Sequence, residues 1–154
     1  MPTYRQEHSL PYSTLQLFAL VADVKRYPEF IPWVVAARVL EEHTAEGGAE
    51  TMLAELKIRF GAIATAYTST VTLNRPKDGD SPGMIDVRLV EGPFKYLSNR
   101  WEFEPVDTGG SLIRFEIDFA FQSRMFEKMV GGMFEKAVKK MIGAFEARAH
   151  QLYG

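Results

Sequence analysis

Reactive side chains are few in this chain of 154 residues, and they are scattered along it. The three histidines, His8, His43 and His150, have none of the short spacings at which protein ligands hold a metal ion. Because the chain has no cysteine, a disulfide, a thiol nucleophile and a thiolate metal site are excluded. No serine lies in a nucleophile-elbow pattern, and no glycine-rich loop has the spacing that binds phosphate. We therefore predict a protein without catalytic residues and without a metal site.

The carboxylates also lack the setting that general acid–base catalysis requires, namely a cavity in which burial shifts the pKa. Glu55, Glu116 and Asp118 alternate with apolar residues, a pattern that places them on the outward face of strands. Tyr67 and Asn99 are the only polar side chains that we expect at a cavity wall. We predict that both serve there as hydrogen-bonding groups.

The elements that would form such a cavity begin with strands of period two. In 52–60 the even positions are apolar and most odd positions are charged, whereas in 112–122 the odd positions are apolar. Shorter stretches at 85–89 and 97–103 repeat the alternation. This pattern predicts an antiparallel sheet with one dry face and one wet face.

Two short helices are predicted after a weak first strand at residues 2–10. Ser13 and Gln16 have the spacing of a capping box, which indicates a helix start. Pro28 is expected to end that helix, because the residue before a proline is disfavoured in helical conformation. A second short helix is expected through Glu29 and Phe30.

A single long helix is predicted from Met125 to Leu152, where apolar residues recur at steps of three and four. Its 28 residues would span about 42 Å, longer than a ten-residue strand of about 33 Å. The apolar sector covers about half the circumference, which indicates that a concave surface surrounds the helix. Gly131 and Gly132 within it are expected to permit a kink or a close backbone approach.

The element order predicts an α+β helix-grip fold over residues 1–154 as one domain. A curved antiparallel sheet of about seven strands would wrap around the long C-terminal helix, with an apolar cavity between them. Methionine is flexible and polarisable, so it suits a surface that adapts to several shapes. The residues predicted to line the cavity are Leu56, Ile58, Phe60, Trp101, Phe115, Ile117, Met129, Met133 and Met141.

Two loops, 27–34 and 92–97, combine aromatic residues with proline or glycine. Large apolar side chains on loops indicate a cavity entrance or a docking surface. Nearby lysine and arginine side chains would meet anionic lipid head groups. The residues predicted to form this entrance and membrane contact are Phe30, Trp33, Phe94, Tyr96, Lys25, Arg26 and Lys95.

The overall composition is that of a globular protein, with 46% hydrophobic and 25% charged residues and a net charge of −2. Such a balance gives no electrostatic footprint for general nucleic-acid binding, so we expect no DNA partner. No apolar run approaches the roughly 18–20 residues of a membrane span. The N-terminal residues show no signal-peptide pattern, and we expect a cytoplasmic protein.

Motifs spread along nearly the whole chain resemble a known family. The first half contributes Pro11-Tyr12-Ser13, Leu17-Phe18, Asp23-Val24, Tyr27-Pro28-Glu29-Phe30 and Pro32-Trp33. The second half contributes Gly92-Pro93-Phe94-Lys95, Trp101-Glu102-Phe103, Asp118-Phe119 and the stretch 144–149. In this order and spacing they resemble the coenzyme Q-binding branch of the START-domain, polyketide-cyclase-like superfamily.

The resemblance implies a START-like lipid-binding domain that binds ubiquinone, a polyprenyl quinone, without catalysis. Such a protein would be a carrier or chaperone supporting respiratory electron transfer, with transient contact at the inner-membrane surface of a bacterium and no catalytic cofactor. A related branch, the ribosome-association toxins, implies a ribosome partner and a block of ribosomal subunit joining. The basic residues available for that role are Lys128, Lys136, Lys139, Lys140 and Arg148. A third branch implies a polyketide cyclase or aromatase.

Overall fold

Seven strands and four helical segments make up the computed structural model, which describes residues 3–48, 50–107 and 109–154. The strands are β1 (Thr3–Leu10), β2 (Val34–Thr44), β3 (Glu50–Phe60), β4 (Ile63–Asn74), β5 (Gly83–Glu91), β6 (Phe94–Pro105) and β7 (Ser111–Phe121). The helical segments are α1 (Thr14–Ala22), a 3₁₀ helix (Val24–Glu29), α2 (Arg124–Lys139) and α3 (Met141–Tyr153).

All strands belong to one antiparallel sheet with the order β1-β7-β6-β5-β4-β3-β2. Strands β2 to β7 follow one another as hairpins, while β1 pairs with the last strand, Leu10 opposite Ser111. The edge strand β2 carries two register shifts against β3. Such bulges interrupt the regular edge to which a strand of another molecule would pair.

The predicted alternation is confirmed in β3 and β7. In β7 the odd positions from Ser111 to Phe121 are buried, and the even positions are half-buried or exposed. Phe103, Phe115 and Phe119 are among the largest fully buried side chains. The core therefore lies between the dry face of the sheet and the helices.

The capping box is present at the start of α1. The Ser13 hydroxyl accepts a hydrogen bond from the backbone N–H of Gln16, and the Gln16 side chain accepts one from the Ser13 N–H. The helix ends at Ala22, earlier than predicted, and Pro28 lies inside the following 3₁₀ helix. Two short helices after the first strand are therefore present, but with a different boundary.

The C-terminal helix is not continuous, in contrast to the prediction. It is divided at Lys140, whose φ of −92° and ψ of −2° depart from regular α-helical values. α2 continues through Gly131 and Gly132, so the break between the two helices does not lie at these glycines. The α+β, START-like fold class is confirmed, with two consecutive helices in place of one. Among the described residues, no helix combines the length and the apolar character needed to cross a membrane.

Candidate binding cavity and helix surface

An apolar cavity of about 90 Å³ lies between the dry face of the sheet, the 3₁₀ segment and the two C-terminal helices. Strands β3 to β7 all contribute side chains to its wall. The structure brings together seven of the nine side chains predicted to line it: Leu56, Ile58, Phe60, Trp101, Phe115, Ile117 and Met141.

Met129 and Met133 do not line the cavity, so the prediction of a methionine-rich wall is wrong. Their side chains are 49% and 39% exposed, beyond one edge of the buried sector of α2. The helix instead directs Phe134, Ala137 and Val138 into the cavity. Aromatic and branched side chains of α2 fill the space against the sheet, and these two methionines remain outside, while Met141 of α3 lines the cavity.

Three polar side chains at the cavity wall have partners within the protein. Trp101 Nε1 donates to Asn99 Oδ1 at 3.1 Å, and Asn99 Nδ2 donates to the backbone carbonyl of Glu116 at 2.9 Å. The Tyr27 hydroxyl donates to the Val21 carbonyl, and burial raises the pKa of Tyr27 far above its ordinary value. Asn99 therefore has the predicted hydrogen-bonding role, directed at the protein itself.

Tyr67 and Ser69 supply two further hydroxyls, two residues apart on β4 and thus on the same face. Neither makes a hydrogen bond to any described residue, and the Ser69 oxygen is buried. Burial raises the pKa of Tyr67 to about 12, so its hydroxyl stays protonated and can donate. Gly92 approaches the Tyr67 side chain so closely that an added Cβ would lie 2.5 Å from it. The cavity wall is thus apolar apart from two hydroxyls that have no hydrogen-bond partner among the described residues.

The aromatic residues predicted at the entrance lie in different environments in the structure. Trp33 is half-buried and lines the cavity, and Phe30 is half-buried against the ring of Phe145 at 5.2 Å. Phe94 is only 3% exposed and packs against Phe121 and Phe134, so it is not available to a membrane. Tyr96 is half-buried. The prediction for Phe94 is wrong because β6 begins there and directs the ring inward.

The basic residues predicted at the entrance are exposed: Lys25, Arg26 and Lys95. Arg26 is also paired with Asp23 at 3.7 Å and with Glu29 at 3.2 Å. Glu29 accepts a second hydrogen bond from Arg148 of α3 at 2.7 Å, and the Arg148 guanidinium lies over the Phe30 ring. These contacts fix the 3₁₀ segment against α3.

The outer side of α2 carries the methionines that are absent from the cavity. Met125, Met129 and Met133 follow one another at four-residue steps and are exposed, Met125 by 72%. Lysines flank this row on the same helix. We call these three methionines the methionine row.

Metal binding has no structural basis in the part of the chain that is described: no three His, Asp or Glu side chains come together as ligands. The three histidines are exposed. The chemistry of the cavity is therefore that of apolar contact and neutral hydrogen bonding.

The sequence matches a protein family over residues 10–146, almost the full span of the fold. That family is described as polyketide cyclase / dehydrase and lipid transport. The chain belongs to this family. Together with the apolar cavity, membership makes it a START-like protein of the hydrophobic-ligand-binding class.

Relatives within the polyketide cyclase and lipid transport family carry two different names. The "Ribosome association toxin RatA" of Rickettsia prowazekii is 37% identical over 152 residues, covering 99% of both chains. The "Coenzyme Q-binding protein COQ10 homolog B, mitochondrial" of Xenopus laevis is 29% identical, covering 98% of this chain and 59% of that protein. Among solved structures, an 18 kDa protein from Caulobacter crescentus is 37% identical, with a TM-score of 0.75 and coverage of 100% and 99%.

Sequence reasoning missed Ser69 and Tyr27 as cavity residues. Ser69 is a small polar residue in a strand whose other inward positions are larger. Tyr27 lies in the 3₁₀ helix, in a stretch predicted as a loop where periodicity gives no direction. The alternation of β4 was the available signal for Ser69, since it shares the phase of Tyr67 and Val71.

Proposed function

We propose that this protein acts by associating with the ribosome. In the sequence analysis this function was the alternative to ubiquinone binding. The observation that carries the proposal is full-length similarity to proteins named ribosome association toxins, at 37% identity in Rickettsia prowazekii and 36% in Pseudomonas aeruginosa. The quinone-binding relative is more distant and matches over 59% of its length. Ribosome association is therefore ranked above ubiquinone binding, the reverse of the order expected from the sequence.

The size of the cavity supports the same order. Pockets that bind drug-sized ligands measure roughly 300–1,000 Å³, whereas this cavity measures about 90 Å³. A quinone ring with even a short prenyl tail requires the cavity to expand by side-chain movement. Ribosome association requires no such change.

The distribution of charge supports a contact through α2. Most arginines on the wet face of the sheet have acidic partners: Arg5–Glu116, Arg38–Glu55, Arg88–Asp86, Arg100–Asp86 and Arg114–Glu7. On α2, by contrast, Lys128 and Lys136 are exposed and have no ion pair within the described chain, and the same holds for Lys140 beyond its end. Unpaired lysines on one surface are what contact with RNA phosphates requires.

Two of the five basic residues that the sequence offered for a ribosome contact are less available to RNA. Lys139 pairs with Glu135 at 3.4 Å, and Arg148 is held by Glu29 with its side chain only 16% exposed. The contact that we propose therefore depends on Lys128, Lys136 and Lys140.

The test is co-sedimentation with purified bacterial ribosomes at several salt concentrations. Exchanging Lys128, Lys136 and Lys140 together for glutamine is expected to weaken binding at least about tenfold and to lower the salt slope of log K by roughly three. The matched control exchanges Lys25, Lys57 and Lys77, which are exposed on other elements, and should leave binding unchanged. Absence of binding at low salt contradicts ribosome association, and an equal loss in both triple variants contradicts the α2 contact.

Subunit joining is measured separately by sucrose gradients of mixed small and large ribosomal subunits. We expect the wild-type protein to lower the fraction of joined ribosomes in proportion to its concentration. If co-sedimentation shows that the ribosomes are saturated with the protein and the fraction of joined ribosomes is still unchanged, an effect on subunit joining is contradicted. Association with the ribosome would then still stand.

A second function, binding of a polyprenyl quinone or a similar neutral apolar ligand, is supported by the free hydroxyls of Tyr67 and Ser69. An apolar wall with two donors suits a molecule with carbonyl oxygens at one end. Organic extraction of protein purified from its native host, followed by mass spectrometry, tests it. Ala54→Leu, which fills the cavity wall, should reduce the extracted ligand, whereas Ala64→Leu on the exposed side of β4 should not. A ligand retained equally in both variants would place it outside the cavity.

A further inference from the structure

The methionine row is not explained by the cavity, by the core or by a phosphate contact. Met125, Met129 and Met133 are exposed at consecutive turns of α2, where a solvated helix face ordinarily carries charged residues. Methionine side chains adapt to the shape of an apolar partner, and they are frequent on protein surfaces that bind helices. Their position is therefore evidence of a protein contact.

Gly132 supplies a second, independent observation on the same surface. It follows Met129 by three residues and so lies beside the row, in the interior of α2 and exposed, where it also borders the groove that Glu127 and Glu135 line. A Cβ added there would meet no atom within 4 Å. Glycine is unfavourable in a helix interior, and packing within this chain gives no reason for it. A glycine at such a position permits the backbone of another element to approach closely.

The charge around the row determines the character of that element. Lys128, Lys136 and Lys140 flank it, exposed and without ion pairs among the described residues. Glu127 and Glu135 of α2 border a groove beside the row, together with Tyr4, Phe121 and Gly132, and Glu135 is already paired with Lys139. A second copy docked through the same face would bring lysines against lysines, so the partner must be acidic.

We propose that the outer face of α2 is the docking site for an acidic amphipathic helix of a partner protein. The apolar stripe of that helix packs on the methionine row, its backbone approaches at Gly132, and its carboxylates meet the three lysines. A glycine beside the row contributes nothing to insertion into lipid, and the face lacks the aromatic residues typical of membrane interfaces. RNA phosphates would leave the methionines without an apolar partner. The docking does not rest on ribosome association. Because both contacts use Lys128, Lys136 and Lys140, the acidic helix and ribosomal RNA would exclude each other on this face.

The probe is a synthetic helical peptide of about 18 residues with leucine at every third or fourth position and glutamate at the others. The control peptide has lysine in place of every glutamate. We expect fluorescence anisotropy to show binding of the acidic peptide only. Met129→Ser combined with Met133→Ser should raise the Kd at least about tenfold, while Val90→Ser, at an apolar residue exposed by 57% on β5, should not change it.

Gly132→Leu separates docking from folding. Because glycine disfavours the helix, the variant should melt at the same temperature as the wild type or higher, yet its Kd for the acidic peptide should rise at least about tenfold. Equal binding of both peptides, unchanged binding in Gly132→Leu, or binding to phosphatidylglycerol vesicles without binding to the peptide would overturn the proposal. If the wild-type protein binds the acidic peptide but does not co-sediment with ribosomes, only the proposed function is overturned.

Discussion

Two buried serine hydroxyls in the sheet differ in their hydrogen bonding. Ser111, fully buried at the start of β7, donates to the Tyr12 carbonyl at 2.7 Å. Ser69, 3% exposed at the cavity wall, has no partner among the described residues. A satisfied buried hydrogen bond stabilises a protein by about 1 kcal/mol, whereas an unsatisfied buried group costs about 1–3 kcal/mol. The second hydroxyl is therefore retained at the expense of stability.

Alanine substitution at these two positions should have opposite effects. We expect Ser111→Ala to lower the free energy of unfolding by about 1–2 kcal/mol and Ser69→Ala to leave it unchanged or raise it by up to about 1 kcal/mol. Urea unfolding followed by circular dichroism measures both. A loss at position 69 as large as at position 111 would mean that the Ser69 hydroxyl is satisfied in solution.

Residue-scale prediction from the sequence succeeded where a residue lies within a regular strand. The phase of β3 and β7 was sufficient to place Leu56 and Phe115 at the cavity wall. The prediction failed for Phe94, because Phe94 is the first residue of β6 and the alternation of a strand does not show in sequence where the strand begins. Whether a hydroxyl finds a partner, as at Ser69, depends on neighbouring strands that no local pattern describes.

The orientation of α2 is the element-scale feature that changed most from the expectation. Apolar residues cover about half of this helix, but the sheet covers only the sector that contains Phe134, Ala137 and Val138. Periodicity defines the axis of an apolar stripe more precisely than its edges. Met129 and Met133 lie beyond one edge.

Adjacent residues of α2 offer a direct test of this orientation. Phe134 is 7% exposed and contacts the rings of Phe60, Phe94, Phe119 and Phe121. We expect Phe134→Ala to lower the free energy of unfolding by about 3–5 kcal/mol and Met133→Ala to change it by less than about 0.5 kcal/mol. Chemical denaturation of both variants measures these changes. Comparable losses in the free energy of unfolding would show that Met133 faces the core.

The tie between the 3₁₀ helix and α3 should depend on pH. The hydrogen bond from Arg148 and the nearby charge of Arg26 hold the pKa of Glu29 below its usual value. A carboxyl whose pKa is lower in the folded state contributes stability above its unfolded pKa, and the contribution is lost as the pH falls through the folded value. Glu29→Gln should therefore be less stable than the wild type at neutral pH and equal to it in strong acid.

Urea midpoints across that pH range measure the effect. Glu91→Gln is the control, since Glu91 is an exposed carboxylate without an ion pair among the described residues, and its substitution should give no such pH-dependent difference. A deficit of Glu29→Gln that persists unchanged in acid would mean that the side chain acts through packing and not through charge.

Helix starts were more predictable from the sequence than helix ends. The capping box of Ser13 and Gln16 is a local arrangement, so its residues suffice to predict it. The break at Lys140 has no proline or glycine at the site; α2 packs on β3 and β7, whereas α3 packs on α1 and β1. Tertiary packing of this kind leaves no trace in a window of local sequence.

At the scale of the whole molecule, the first strand closes the sheet against the last. Leu10 pairs with Ser111 and Thr3 with Asp118, about 100 residues or more apart. All other neighbouring strands are consecutive hairpins. Closing the long loop costs more conformational entropy than forming a hairpin, so β1 is expected to join the sheet late in folding.

Folding kinetics test this order. Leu10→Ala in β1 should mainly accelerate unfolding and leave the refolding rate within about twofold, whereas Ile113→Val in β7 should slow refolding. Both side chains are buried in the core. Stopped-flow measurements in urea give both rates. Refolding slowed by Leu10→Ala in proportion to its loss of stability would show that β1 belongs to the folding nucleus.

The ion pairs on the wet face of the sheet also affect how the molecule meets charged partners. Each pair is a short dipole whose field decays quickly, since charges in physiological salt are screened over about 8 Å. The lysines of α2 retain their full charge. A polyanion is thus attracted more strongly to these α2 lysines than to the paired arginines of the sheet. The benefit appears in the frequency of productive encounters rather than in the lifetime of the complex, and it decreases as the ionic strength rises.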